Sequence, residues 1–106
     1  MRIAVISTHT SPLARPGGNK TGGLNVYVRE LALQLAARGC QIDIFSRSSS
    51  RDMAEVTELG PGVRVIHLTA GPARYLSPAS VYKHLDAFEA ELIDFAERDR
   101  TAYDLI

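Results

Sequence analysis

The 106-residue sequence predicts an α/β fold, a Rossmann-like parallel sheet, on three observations. Strand patterns recur three times: residues 3–6 are a short apolar run, as a strand buried on both faces requires, residues 41–46 alternate apolar and polar, and residues 63–68 form a third. Two further stretches carry apolar residues at helical spacing. Glycine and proline cluster at the joints, where they separate elements rather than extend them. Strands and helices in this order give a parallel sheet with right-handed crossovers.

The first strand, residues 3–6, runs into Ser7 and Thr8. Residues 8–21 are irregular, because Pro12, Pro16, Gly17 and Gly18 exclude helix and regular strand. A helix starts at Gly22. Leu24, Val28, Leu31 and Leu35 mark its buried stripe, and Asn25, Arg29, Gln34 and Arg38 take the other side. Gly39 is the C′ stop, with Arg38 placed at the negative helix end. The second strand, residues 41–46, alternates Ile42 and Ile44 with Gln41 and Asp43. Residues 47–62 form a connector in which 54–59 fits either a short strand or a helical turn, and 60–62 is a turn. The third strand is residues 63–68. After a loop, Ser77 is the expected N-cap and Pro78 the first residue of a second long helix. Its stripe is Val81, Leu85, Phe88, Leu92 and Phe95. Asp86, Glu89, Glu91, Asp94 and Glu97 give it a solvated face. Residues 103–106 open a fourth strand, so the sheet reads as incomplete and residues 1–106 as a truncated domain. Its exposed edge offers a route to self-association.

Composition narrows the function. The net charge is zero, which argues against nucleic acid as a partner. The charge is nonetheless uneven: residues 1–50 hold six basic and two acidic side chains, residues 51–106 six and ten. The positive half contains the glycine-rich segment, which suits an anionic ligand. A single cysteine, Cys40, excludes an internal disulfide and reads as buried filler. The three histidines lack ligand spacing, so no metal is expected; His67 reads as structural and His84 as a surface residue. There is no leader pattern and no apolar stretch near the ~20 residues that span a bilayer, so a cytoplasmic location is expected.

The span from His9 to Tyr27 carries the chemistry. It joins the C-terminal end of the first strand to the start of the first helix, where open α/β sheets bind ligands. A helix start offers unpaired N–H groups and a partial positive charge. Gly22 and Gly23 lack Cβ atoms, so a phosphate can approach their backbone; a plain glycine turn is the competing reading. A dinucleotide site fits poorly. No G-x-G-x-x-G follows the first strand, and the second ends in Ser46-Arg47 rather than an acid, leaving Arg47 only as a partner for a 2′-phosphate. No Gly-x-Ser-x-Gly elbow accompanies Ser7, Ser11 and His9, so they form no nucleophile triad.

Three stretches together resemble the family-4 retaining glycosyltransferases: Ile3-Ala-Val-Ile-Ser-Thr-His-Thr-Ser-Pro-Leu-Ala-Arg-Pro-Gly, Gly22-Gly-Leu-Asn-Val-Tyr-Val-Arg-Glu-Leu-Ala and Ile42-Asp-Ile-Phe-Ser-Arg. The nearest members are the sucrose-phosphate-synthase-like enzymes and the mycothiol-pathway inositol-phosphate N-acetylglucosaminyltransferases. Ala70-Gly-Pro and Tyr103-Asp-Leu-Ile fit the same pattern. The resemblance implies the GT-B fold, two Rossmann-like domains across a cleft. This chain would be part of the N-terminal, acceptor-side domain, without the donor-binding half. It further implies transfer of a sugar, with retention and without metal or other cofactor, from a UDP- or GDP-linked donor to a small sugar-like hydroxyl acceptor. By position, Gly22, Gly23, Arg15 and Pro16 would lie at the donor diphosphate and nucleotide sugar. His9, Asn25 and Lys20 would lie at the acceptor or reacting sugar. Two departures stand out. Lys20 replaces an acidic residue of both relatives. Pro78 falls where the mycothiol enzyme has a phosphate-binding lysine, with Lys83 one turn further on, which argues against an inositol phosphate acceptor. The isolated 106 residues are expected to be inactive. The alternative is a stand-alone α/β binding module without catalysis.

Overall fold

A computed structural model describes residues 1–9 and 23–106, with residues 23–25 described by their backbone alone. The elements run β1 (Arg2–Ile6), α1 (Gly23–Ala37), β2 (Gln41–Arg47), β3 (Val56–Gly60), β4 (Val63–Leu68), α2 (Pro78–Tyr82) and α3 (Leu85–Asp99). The sheet order is β1-β2-β4-β3. β1 pairs parallel with β2, and β2 with β4. Beyond β1, Leu105 bridges Ile3 in parallel, and the Ala4 N–H donates to the Leu105 carbonyl at 2.9 Å. The expected start of a further strand is therefore present. The order of the parallel segments reverses at β1: β2 and β4 lie on one side of it and the 103–106 segment on the other.

The sheet is not purely parallel. The ambiguous stretch at 54–59 resolves as β3, which runs antiparallel to β4 and forms the outer edge. Its register slips between Glu58 and Gly60, a bulge that shortens and twists an otherwise open edge. Its polar, half-exposed pattern is that of a strand with one wet face.

Each face of the sheet has its own core. Ile3, Ile42, Ile44, Val63 and Val65 meet Ala32 of α1 on one side. Ala4, Phe45, Ile66 and Leu68 meet Phe88 and Phe95 of α3 on the other. β2 and β4 lie between two layers and are buried almost throughout, with Asp43, Ser46, Arg47 and His67 enclosed among their apolar residues.

The α1 stripe is rotated from the expected one. Ala32 is buried, Val28, Leu35 and Ala36 are partly buried, and Leu31 is exposed. The small Ala32 lets the helix axis approach the sheet closely, a preference that spacing of large residues does not register. Helix α1 ends in a Schellman motif: the Gly39 N–H donates to Ala36 and the Cys40 N–H to Leu35, with Gly39 at φ +95°. The Arg38 guanidinium donates to the Gln34 carbonyl, as its place at the negative end requires. Cys40 is half-buried rather than fully enclosed.

The second long helix is two helices. Ser77 caps α2, its Oγ accepting from the Ser80 N–H, and Pro78 takes the first position as expected. The helix then breaks at Lys83 and His84, where bonds tighten to the i−3 pattern. His84 is not a free surface residue. Its ring packs against Gly71, where an added Cβ would lie 2.8 Å from the imidazole. This contact with the 69–77 loop falls at the helix break.

Candidate functional site

The parallel register fixes which elements share each end of the sheet. Arg2 pairs with Gln41, so β1 and β2 start at the same level, and α1 must carry the chain from the C-terminal end of β1 back to the start of β2. The start of α1 thus lies at the C-terminal end of the sheet, as do Ser7, Thr8 and His9. This end, beside the strand at which the order reverses, is where open α/β sheets receive ligands.

His9 is half-buried at this end. Its Nε2 lies 3.2 Å from the Tyr75 hydroxyl, and the two rings meet edge to face with centroids 5.4 Å apart. Tyr75 belongs to the loop after β4, so the pair joins the exits of two strands. Sequence spacing gives no hint of it: the partners are 66 residues apart. Gly23 and Asn25 fall in the first turn of α1, at the same end as His9. Arg15, Pro16, Lys20 and Gly22 lie outside the described residues.

Arg47 ends β2 and is 4% exposed. Its Nε donates to the Ala70 carbonyl at 2.6 Å, one terminal nitrogen to Arg74 at 2.9 Å, and the other to the Pro72 carbonyl. These three carbonyls, with no carboxylate among the described residues, hold a buried cation. Burial, and the charge of Arg74, pull its pKa below the ordinary arginine value, yet a guanidinium stays charged at neutral pH. The group faces inward onto backbone, which removes it as a partner for a nucleotide 2′-phosphate. The signal in the sequence is an arginine closing a strand whose preceding residues include Ile42, Ile44 and Phe45.

His67 is buried on β4, with Nδ1 3.1 Å from the Ala54 carbonyl, consistent with a structural role. Burial pulls its pKa below the ordinary imidazole value, against the opposing effect of that bond. It borders a cleft of about 360 Å³ lined also by Ser48, Arg51, Met53 and Thr69, at the same end of the sheet. Pro78, the first residue of α2, offers no amino group to a phosphate.

The opposite end of the sheet holds a buried ion network. Asp43 is 2% exposed. It accepts from Arg64 at 2.8 and 2.7 Å and from the Tyr103 hydroxyl at 2.5 Å, with Arg2 at 3.5 Å. Arg64 also bridges Asp99 at 2.9 Å. Burial works to raise the Asp43 pKa, but the bonds from Arg64 and Tyr103 and the charges of Arg64 and Arg2 outweigh it and hold the carboxyl below its usual range. Burial and the Asp43 carboxylate push Tyr103 up. A cleft of about 410 Å³ opens there, lined by Arg2, Asp43, Glu58 and Arg64 among others. It lies at the strand starts, away from the end that open sheets use, and its Arg2 and Arg64 are paired with Asp43. This end serves stability.

Comparison with known proteins gives one consistent picture. Residues 22–106 match the model of the glycosyl transferase 4-like domain. The chain is 47% identical over 106 residues to a D-inositol 3-phosphate glycosyltransferase of Corynebacterium urealyticum, covering 100% of this chain and 25% of that protein. The enzyme of the same name from Thermomonospora curvata is 45% identical over 106 residues, with 99% and 25% covered. Among solved structures, sucrose-phosphate synthase from Thermosynechococcus elongatus superposes with a TM-score of 0.85 at 35% identity, over 91% of this chain and 24% of that one. The fold is that of an N-terminal portion of a GT-B glycosyltransferase. The chain spans about a quarter of the length of the relatives it matches.

Proposed function

We propose, from the premise that this chain belongs to the glycosyl transferase 4-like family, that it forms the acceptor side of a retaining, nucleotide-sugar-dependent glycosyltransferase acting in the cytoplasm. The observation that carries this is that His9 and the start of α1 lie at the same, C-terminal end of the parallel strands, within a chain whose family match begins at that helix. In the proposed complex the amides of Gly22 and Gly23 seat the diphosphate of a UDP- or GDP-sugar, with Arg15 and Pro16 beside it. His9, Asn25 and Lys20 face the acceptor, a small hydroxyl compound of the sugar phosphate or cyclitol phosphate kind. Catalysis is then positioning plus stabilisation of the leaving diphosphate, whose oxygen takes the acceptor proton on the same face of the sugar; no metal is required. A second domain supplies the nucleotide pocket.

The helix-start geometry supports the diphosphate seat, and the names of the relatives support a phosphorylated acceptor. Pro78 weighs against inositol phosphate in particular. The test is a chimera in which this chain replaces the matching quarter of the C. urealyticum enzyme. Sugar should pass from a UDP- or GDP-sugar to a phosphorylated hexose or cyclitol, whereas the 106 residues alone should transfer none. A folded chimera that binds nucleotide sugar but modifies no such acceptor would reject the assignment in favour of a non-catalytic module.

A further inference from the structure

We infer that Arg47 is the positioning residue of the His9–Tyr75 pair, holding from β2 the two segments that bring these side chains together. The inference rests on the reading of His9 as an acceptor-side group. Arg47 touches both segments. Its backbone N–H donates to the Thr8 carbonyl at 3.4 Å, one residue before His9. Its guanidinium donates to the carbonyls of Ala70, Pro72 and Arg74, the last directly before Tyr75. A planar fork can serve three carbonyls at once, which a lysine ammonium on a flexible stem cannot do with the same geometry. The loop is pinned from its other side as well. Leu76 is buried, and Gly71, at φ +80°, lies against the His84 ring. Residues 70–76 are therefore a built platform, and Arg47 is its tie to the strand exits.

A charge in this position is costly. Burying a guanidinium without a carboxylate forfeits hydration that carbonyl dipoles return only in part. The platform carries Tyr75, whose hydroxyl meets His9 Nε2, so the rotamer of His9 depends on a residue two strand exits away. Tyr75 is the contact, and Arg47 acts through it.

The test uses the 106-residue chain and needs no catalysis, so its failure is separate from failure of the glycosyltransferase reading. Nuclear Overhauser contacts between the His9 and Tyr75 rings are compared in the native chain, Arg47→Met and Arg47→Lys, with the Phe45–Phe95 contact as a record of the core. The inference expects the core contact to persist in at least one variant while the His9–Tyr75 contact is lost in Arg47→Met and weakened in Arg47→Lys. Amide exchange over residues 70–76 should accelerate in parallel. In the chimera, Arg47→Lys should raise the KM for the acceptor and leave that for the donor unchanged. An undiminished His9–Tyr75 contact in a folded variant overturns the inference. So does loss of that contact only together with the core in both variants, because Arg47 would then be a stability residue and nothing more.

Discussion

Asp43 shows how one side chain can serve stability from inside a sheet. It is nearly enclosed, yet two arginines and a tyrosine hydroxyl satisfy it. Asp43→Asn should lower stability by about 2 kcal/mol in urea unfolding, below the roughly 3–5 kcal/mol of a fully buried pair, because Arg64 stays partly solvated and keeps Asp99. Ser46 is the opposite case. Its Oγ is buried with no hydrogen-bond partner among the described residues, so Ser46→Ala should be neutral or stabilising by up to about 1 kcal/mol in the same assay. Neither effect is legible in the sequence. The alternation of residues 41–46 marks a strand but makes Asp43 look like a solvated position, and its partners come from residues 2, 64 and 103. His9 was legible as a site candidate from its place after the first strand; Tyr75 was not, since a lone tyrosine in a loop carries no periodic or spacing signal.

At the scale of elements, the strands were the most readable. Residues 63–68 match β4 to the residue, because Val63, Val65, Ile66 and Leu68 supply apolar side chains to both covered faces of the strand. Helix details were less so, because tertiary contacts bear on them: Ala32 rotates the α1 stripe, and His84 meets Gly71 where the second helix divides. This makes Gly71 a sharp test. Gly71→Ala places a Cβ against the imidazole at a positive φ, and should cost about 1–3 kcal/mol in thermal or urea unfolding. Helix α3 invites the reverse experiment. It closes on Arg100 in the left-handed region at φ 54°, with the Thr101 N–H donating to Ala96. Arg100→Gly should remove the steric cost and raise stability by about 0.5–1 kcal/mol.

For the whole molecule, acid stability should fall in two stages. His67 has a folded pKa below its unfolded value, so its contribution is complete above pH ~6.5 and declines as pH falls through the folded value. Asp43 and Asp99 are also depressed, Asp99 to about 2, chiefly through its bonds from Arg64 and Thr101. Their contribution is complete above pH ~3.9 and is lost below it. Melting temperature measured between pH 8 and 2 should show both declines, and His67→Gln should abolish the first. The division of labour is spatial. Stabilising charges pair at the strand starts, while the strand exits hold His9, the α1 start and a buried arginine bound to backbone carbonyls. Among the described residues no helix is long and apolar enough to cross a membrane.

The proposed function requires an anion seat at the start of α1. A direct measurement is titration of the ¹⁵N-labelled chain with inorganic pyrophosphate, read at the backbone amides. The largest shifts should fall on Gly22 and Gly23, with Gly39 and Gly62 at the far end of the sheet unmoved. Shifts that centre instead on Arg2 and Arg64 at the strand starts, or spread evenly over the exposed basic residues, would contradict it.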